Sequence, residues 1–353
     1  MSKDEVLVLA RDLLRQRNPL EALILLNPVL QDDPEDLETL QTVAEAHLEA
    51  SGMPDITDGQ QHTENAYKLF THAAALDSGK TAKAGYDKYL WLGQLSGGQD
   101  AVMWFRKGCE GLRQDLSKED IPDIERAGLR KKLCDALCAS IEIWMTDLCM
   151  EPEAESMCEA LITESLMIDE NHPESYSTLA SIRLSQEREG EARIAVQRAW
   201  ELQKELGEST VSEDAAVEVA RIDALKSVIK LSLETDLYEI AEEASRQAIA
   251  LDEEIPEVWY LYALAAVQQY ARNQDSTETL ASAYDRFSTA YELLWSPTSL
   301  SNNAEDEQEL QLEVREKMQE IEAVLNNKGT NLQSSGNTVD VEDEWLDIDD
   351  DEE

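Results

Sequence analysis

The feature that most constrains the fold is a pair of amphipathic segments between residues 176 and 200. The first repeats its apolar side chains at helical spacing and includes the small residue Ala180. The second carries small residues at Ala192 and Ala199, and a polar stretch around Gly190 separates the two. Small side chains let two helices approach closely. The segment therefore predicts two antiparallel helices joined by a turn centred on Gly190.

The same arrangement recurs along the chain, and seven such helix pairs are predicted between about residues 4 and 297. Pro34, Pro256 and Pro297 each follow a pair, as expected of a residue that cannot continue a helix. The fourth pair is the least regular, with its first helix predicted over 133–148. The spacing resembles the tetratricopeptide (TPR) repeat, whose period is about 34 residues. No segment alternates like a strand, so we predict an all-α, right-handed TPR-like α-solenoid of about seven pairs.

The two ends of the predicted solenoid differ from its repeats. A single apolar stripe with polar flanks predicts a capping helix at about 303–326, which closes a superhelical domain spanning 1–326. Residues 327–353 lack periodicity and are predicted to form a disordered acidic tail. A Gly/Asp/Thr/Gln-rich stretch at 51–63 is predicted to be a loop inside the second pair.

Net charge gives the strongest indication of function. The chain has 75 Asp and Glu against 30 Lys and Arg, a net charge of −45. Residues 340–353 hold ten of the acids and no base, so residues 1–339 still carry 65 acids against 30 bases. An acidic body attracts basic partners and disfavours direct binding of nucleic acid, which needs clustered Lys and Arg. An acidic surface that serves only solubility is the alternative interpretation.

Several classes of protein are disfavoured by what the sequence lacks. No apolar stretch is long enough to cross a membrane, and the acidic N-terminus is unlike a signal peptide. The odd number of cysteines, five, predicts no disulfide framework but buried thiols in a reducing compartment, so we expect the cytoplasm and nucleus and no membrane partner.

The motifs that could carry chemistry are weak. Residues 78–81 end like a phosphate-binding loop, but Ala74 stands where the motif needs glycine and a helix precedes it instead of a strand. The tripeptide 97–99 is better interpreted as a glycine turn. The histidines are scattered, and no Cys pair has metal-ligand spacing. We predict no enzyme activity, no catalytic residue, no cofactor and no metal site.

In stacked TPR units the first helix of each pair lines a concave groove. Acidic residues interspersed with apolar ones fall on the predicted groove side, which suits an extended segment rich in Lys and Arg. Each alone is also compatible with an ordinary solvated helix face. The predicted partner-binding residues are Glu38, Glu45, Glu49, Asp87, Leu90, Glu174, Asp223, Glu234, Glu257 and Tyr260.

The predicted tail is more than a run of acids. It interleaves apolar side chains, Trp345 among them, with carboxylates, and solvation alone needs no tryptophan. Such a tail can dock on a basic patch or fold back over the groove of its own chain. A passive disordered end is the alternative. The tail residues predicted to take part are Trp345, Asp347, Asp349 and Asp350.

Taken together, the chain resembles the fungal dedicated assembly chaperones of large-subunit ribosomal protein four. The resemblance rests on the unit at residues 13–36, on the succession of TPR-like pairs, on body-wide acidity and on the ending at 343–353, which reads DEWLDIDDDEE. It implies capture of the newly made basic ribosomal protein through its extended internal loop, protection from aggregation and degradation, and escort to nuclear pre-ribosomes. Contact with nuclear import factors would then come through the client.

Two other interpretations of an acidic TPR protein stay open at this point. A histone chaperone of this class typically carries a long acidic insertion inside a TPR, whereas the 51–63 stretch is short and mildly acidic. A co-chaperone that clamps the acidic C-termini of heat-shock chaperones needs Lys, Arg and Asn in its groove, and the predicted groove is mostly acidic. A basic patch in the groove would favour the co-chaperone interpretation.

Overall fold

The chain folds into a succession of helices. The computed structural model describes residues 1–53, 56, 58–77, 85–209, 215–273, 277–295 and 304–328. No strand occurs in these residues, which confirms the all-helical prediction. In chain order the helices are α1 (Lys3–Arg15), α2 (Pro19–Asp32), α3 (Leu37–Ser51), α4 (Gly59–Leu76), α5 (Asp87–Gln94), α6 (Gly98–Leu116), α7 (Asp123–Met145), α8 (Ala154–Ile168), α9 (Pro173–Ser185), α10 (Glu189–Ser209), α11 (Ala215–Glu234), α12 (Tyr238–Leu251), α13 (Pro256–Asn273), α14 (Thr277–Leu294) and α15 (Ala304–Asn327).

Consecutive helices pack in pairs, from α1 with α2 to α13 with α14, and α15 packs on α14. Successive odd-numbered helices from α1 to α13 also pack on one another, except that α3 and α5 do not pack closely. Among the even-numbered helices in the described part of the chain, only α10 and α12 approach closely. Because the odd-numbered layer is the tighter one, the stack curves around it. We call the solvent-facing side of this layer the inner face.

The core of the pairs is built from a repeated pattern of large and small residues. Phe70, Phe105 and Phe287 occupy equivalent positions in α4, α6 and α14, and each is almost completely buried. Alanine stands four residues before each phenylalanine, and Ala or Gly stands three residues after it. These small residues let the partner helix come close enough to cover the ring. The pattern that predicted the pairs is therefore the pattern that packs them.

Gly93 in α5 shows how tight this packing is. A Cβ atom at this position would lie 2.8 Å from Cδ2 of the buried Phe105 ring. Gly93→Ala should therefore lower the free energy of unfolding, measured by urea titration, by about 1–3 kcal/mol through overpacking. Gly128→Ala in α7 is the matched control, since nothing lies within 4 Å of a Cβ there. It should raise stability slightly, by about 0.5–1 kcal/mol; equal effects would contradict the packing argument.

The turns within pairs use a backbone conformation that the sequence did not reveal. Arg17, Glu187 and Asp236 each precede the second helix of a pair and adopt φ of 57°, 58° and 57°. The turn of the pair at 176–200 is thus made by Glu187, whereas Gly190 lies in the first turn of α10. The prediction of a turn centred on Gly190 is corrected accordingly.

Gly97 and Gly98 do form the predicted turn. Gly98 has φ of 55° and its N–H donates to Asp147 Oδ2 at 2.7 Å. A left-handed residue whose N–H is held by a side chain from the turn after α7 explains the glycine without any catalytic role.

Two predicted boundaries were wrong. The stretch at 51–63 is not a single loop, because α4 begins at Gly59. A Cβ at Gly59 would lie 2.8 Å from the Ser51 carbonyl oxygen, so this glycine lets the start of α4 approach the end of α3. The first helix of the fourth pair begins at Asp123, ten residues before the predicted start, because its first turns are exposed and lack an apolar stripe.

Four of the five cysteines are buried and none forms a disulfide, as predicted; Cys149 is exposed. Burial raises the pKa of the Cys138 thiol to about 12, which leaves it an inert part of the core. Helices long and apolar enough to span a bilayer do not occur in the described part of the chain. The residues 78–81 and the tail from 329 onward, including Trp345, Asp347, Asp349 and Asp350, lie outside the described residues.

Candidate inner-face binding site

All ten predicted groove residues lie on odd-numbered helices of the curved stack. Glu38, Glu45 and Glu49 lie on α3, where they are spaced to share one side of the helix. Asp87 and Leu90 belong to α5, and the remaining five belong to α9, α11 and α13. The carboxylates among them fall into two groups, those that have an intramolecular cation and those that do not.

The first group is paired across helices. Arg11 of α1 donates to Glu38 Oε1 at 2.8 Å, and Lys132 of α7 lies 2.6 Å from Asp87 Oδ1. Both pairs join neighbouring odd-numbered helices at partly exposed positions. Pairs of this kind contribute little stability, about 0–1 kcal/mol each, and exchange readily with another charged partner.

Glu257 in α13 belongs to the same group. Lys226 and Lys230 of α11 lie 2.8 and 2.6 Å from its two carboxylate oxygens. Burial opposes ionisation of Glu257, but the two ammonium groups outweigh it and hold the pKa below its usual value. Asp223 lies 3.6 Å from the same Lys226. Asp223 and Glu257 are thus balanced by Lys226 and Lys230, which the sequence did not indicate.

The second group has no cationic partner among the described residues. Glu45 and Glu49 on α3, Glu174 on α9 and Glu234 on α11 make no ion pair or side-chain hydrogen bond there. Burial raises the pKa of Glu174, and the carboxylates of Asp135 and Glu142 add to the effect. Burial likewise raises the pKa of Glu49. Glu45 and Glu174 are partly buried and uncompensated, so an external cation would be stabilised beside them, whereas Glu49 and Glu234 are exposed to solvent.

Glu45 is the most perturbed member of this group. Burial and, after it, the charge of Asp87 raise its pKa to about 7, and Glu49 adds to the effect. Arg11 and Lys132 act in the opposite direction without cancelling it. At neutral pH this half-buried carboxyl group is therefore protonated far more often than an ordinary glutamate.

This pKa predicts a pH dependence of stability. The folded chain binds the Glu45 proton more tightly than the unfolded chain, so its contribution to stability falls as pH rises from about 4.5 to about 7. Glu45→Gln should therefore be more stable than the parent at pH 8 by roughly 3 kcal/mol, and about equally stable at pH 4. Urea titrations of both chains at the two pH values would check this; a constant difference would contradict it.

A pocket of about 400 Å³ opens on the inner face between α3, α5 and α7. It lies where α3 and α5 do not pack closely. Its apolar lining includes Leu90 and Trp91, and Phe105 of α6 also lines it. Its polar lining includes Glu45, Asp87, Lys132 and Asp135. The structure thus brings three of the predicted residues, Glu45, Asp87 and Leu90, to one site.

Sequence reasoning missed the contribution of α7 to this pocket. Lys132, Asp135, Ala136 and Ala139 line it at spacings of three, four and seven residues, which is the signature of one helix face. The predicted start of this helix at Leu133 cut the stripe in two. A predicted start before Lys132 would have shown that all four residues share one helix face.

His172 fixes the orientation of the Asp135 carboxylate. The Nδ1 atom of His172 accepts from the Ser175 N–H at 3.2 Å, so Nε2 carries the hydrogen and donates to Asp135 Oδ1 at 2.9 Å. Lys131 adds a contact of 2.8 Å to the other oxygen. Burial opposes ionisation, but these two donors hold the pKa of Asp135 below its usual value. Asp135 is therefore already satisfied, unlike Glu45.

The prediction that Tyr260 contacts a partner in the groove is corrected. Its side chain is buried, its ring centroid lies 5.7 Å from that of Phe287, and burial together with Glu313 of α15 raises the pKa of its hydroxyl group. The terminal helix α15 covers this part of α13, and the repeat register alone could not show that. Tyr260 is a core residue.

The described residues offer little for catalysis or metal binding. They contain no cluster of three or more His, Cys, Asp or Glu side chains placed to hold a metal ion. The predicted inner-face carboxylates are spread over five helices. The arrangement suits charge-complementary binding of an extended segment.

Comparison with known proteins is consistent with a protein that binds another protein. No protein-family profile matches the chain. A protein of Schizosaccharomyces pombe described as a probable assembly chaperone of rpl4 is 30% identical over 260 residues, which cover 73% of this chain and 72% of the relative. A protein of Emericella nidulans with the same description is 34% identical over 236 residues, covering 65% of this chain and 54% of the relative.

The fold is also found in a solved structure. The assembly chaperone of RpL4 (Acl4), residues 1–338, superposes with a TM-score of 0.65 and 29% identity, covering 78% of this chain and 99% of that one. Shared sequence and shared helix-pair architecture over most of the chain identify the family. The chain belongs to the family of the Rpl4 assembly chaperones.

Proposed function

We propose that this chain is an assembly chaperone of ribosomal protein L4 and that it holds a basic segment of that protein on its inner face. The observation that supports this best is the set of uncompensated carboxylates Glu45, Glu49, Glu174 and Glu234. The relatives are described as assembly chaperones of the same ribosomal protein. A net charge of −45 adds long-range attraction for a basic client.

The mechanism follows from electrostatics. A ribosomal protein destined to contact RNA carries exposed cations, which the inner-face carboxylates neutralise in place of phosphate groups. Weakly held cations such as Lys132 can exchange with those of the client. Ribosomal RNA, which offers a higher density of negative charge, competes for the client at the site of assembly, so that release requires no nucleotide hydrolysis.

The proposal includes the route of the client. The chaperone binds the newly made protein through its extended internal loop in the cytoplasm, shields it from aggregation and degradation, and accompanies it to nuclear pre-ribosomes. Import factors would act through the client. A fluorescently tagged chain should be found in both compartments, and depletion of L4 should reduce the nuclear fraction; an unchanged distribution would contradict the escort.

The test of the function is purification of the tagged chain from cells of its own organism, with bound proteins identified by mass spectrometry. Near-stoichiometric L4, lost when its internal loop is deleted and weakened as salt rises, would support the proposal. Histones, or heat-shock chaperones bound by their C-termini, would mean that the fold carries another client. A purified mixture should also keep L4 soluble at a concentration at which L4 alone precipitates.

A further inference from the structure

The pocket between α3, α5 and α7 has more negative charge than its own cations match. Three carboxylates line it, from Glu45, Asp87 and Asp135, and Lys132 is the lysine that lines it with them. Lys132 is engaged by Asp87, and Asp135 is held by Lys131 and His172. Glu45 alone has no partner among the described residues. The pocket thus lacks one cation at a defined position, beside Glu45.

The other walls of the pocket restrict what kind of cation fits. Leu90 and Trp91 present apolar surface from α5, and Ala136 and Ala139 do so from α7. An occupant must therefore place methylene groups or a flat face against these walls and a positive charge beside the carboxylates. A hydrated metal ion would not use the apolar walls, and the described residues provide no metal cluster.

A lysine and an arginine of the client would meet this site differently. An ammonium group is a compact, strongly hydrated charge, whereas a guanidinium group is planar, less hydrated and offers five donors in a fixed fork. It can bond to two carboxylates at once and stack on an indole ring. Glu45 and Asp87 come from two helices and line the same pocket as Trp91.

We propose that this pocket receives a single arginine side chain of the basic client, with its guanidinium group shared between Glu45 and Asp87 and its stem against Leu90 and Trp91. The inference rests on the proposed function, since it assigns one anchor residue within the same binding face. Lys132 would yield part of its contact with Asp87 to the incoming guanidinium group. The anchor would fix the register of an otherwise sequence-tolerant electrostatic interaction.

Binding of arginine here has a consequence that can be measured apart from affinity. Glu45 has a pKa of about 7 in the free chain, raised by burial and by Asp87. A guanidinium group beside it favours the ionised form, so binding releases the Glu45 proton. At a pH of about 6.5 most of one proton should be released per complex, and Glu45→Gln should release almost none.

The experiment is a double-mutant cycle with full-length L4 and the full chain, using isothermal titration calorimetry in two buffers of different ionisation enthalpy. Each arginine in the internal loop of L4 is changed singly to lysine. One such change should weaken binding to the parent chain about tenfold and binding to Glu45→Gln less than about twofold. Glu110→Gln, at an exposed position of α6, is the matched control and should leave the cycle unchanged.

The possible results distinguish the arginine anchor from the proposed chaperone function. The anchor is supported if one arginine-to-lysine change in L4 is non-additive with Glu45→Gln and if Glu45→Gln also abolishes the proton release. Additive effects of every arginine, or equal proton release by the parent chain and Glu45→Gln, overturn the anchor while the chaperone function stands. Failure of the unmodified chain to bind L4 at all overturns both.

Discussion

Reversal of three inner-face carboxylates in the triple variant Glu45→Lys, Glu49→Lys and Asp87→Lys should weaken binding of ribosomal protein L4 by about a hundredfold to a thousandfold. Two of the three are uncompensated in the free chain, and the third, Asp87, is held by Lys132 at 2.6 Å. The variant replaces attraction with repulsion at the point where the pocket opens. A weakening of this size corresponds to roughly 3–4 kcal/mol, which is typical when several charge pairs across an interface are removed together.

The matched control is a triple reversal on the even-numbered helices, at Glu21, Glu110 and Glu239. All three are exposed, and the net charge changes by the same amount. Binding should weaken less than about fivefold, through the loss of long-range attraction alone. Circular dichroism must show both variants to be folded, because a lysine at position 87 would face Lys132. Equal losses of affinity in the two variants would contradict binding of the client on the inner face.

The largest effect on stability is expected from Lys88→Met, which should lower the free energy of unfolding by about 3–5 kcal/mol. Lys88 is fully buried in α5, and its ammonium group lies 2.8 Å from Asp77 Oδ2, which belongs to a side chain that is 3% exposed. It also donates to the Gly85 carbonyl oxygen at 2.7 Å. The substitution removes the ammonium group that offsets the charge of the buried Asp77 carboxylate.

The buried Lys88–Asp77 pair can also be replaced as a whole. Lys88→Met combined with Asp77→Leu should recover most of the lost stability, since a buried ion pair can often be replaced by apolar side chains of similar size. Tyr89→Phe, which removes only the 3.2 Å hydrogen bond to Asp77, should lower stability by about 1 kcal/mol. Urea unfolding of five chains measures this, namely the parent, Lys88→Met, Asp77→Leu, the double variant and Tyr89→Phe; additive effects of the changes at 88 and 77 would show that the pair is not coupled.

The sequence was a good guide to features that depend on local spacing. The Ala–Phe–Ala spacing around Phe70 and Phe287 predicted the helix pairs because residues three and four apart necessarily share one helix face. The weakest pair, α7 with α8, is present as well. The relationship to the Rpl4 assembly chaperones is confirmed, and with it the prediction that the chain is not an enzyme.

Features that depend on how one helix sits against another could not be predicted. Lys226 and Glu257 are 31 residues apart, and Lys132 and Asp87 are 45 apart, so pairing them requires the relative position of two helices. For the same reason, Tyr260 was assigned to the groove although α15 covers it. Lys88 gave no sign of burial, because a lysine is almost always exposed unless it is paired.

Amide hydrogen exchange of the chain with and without bound ribosomal protein L4 tests the central claim most directly. Exchange should slow in the odd-numbered helices, above all in α3, α5, α7 and α9, where uncompensated carboxylates and the pocket lie. The even-numbered helices α4, α6, α8 and α10 should change little. Slowing confined to the even-numbered helices would place the client on the outer surface and contradict binding on the inner face.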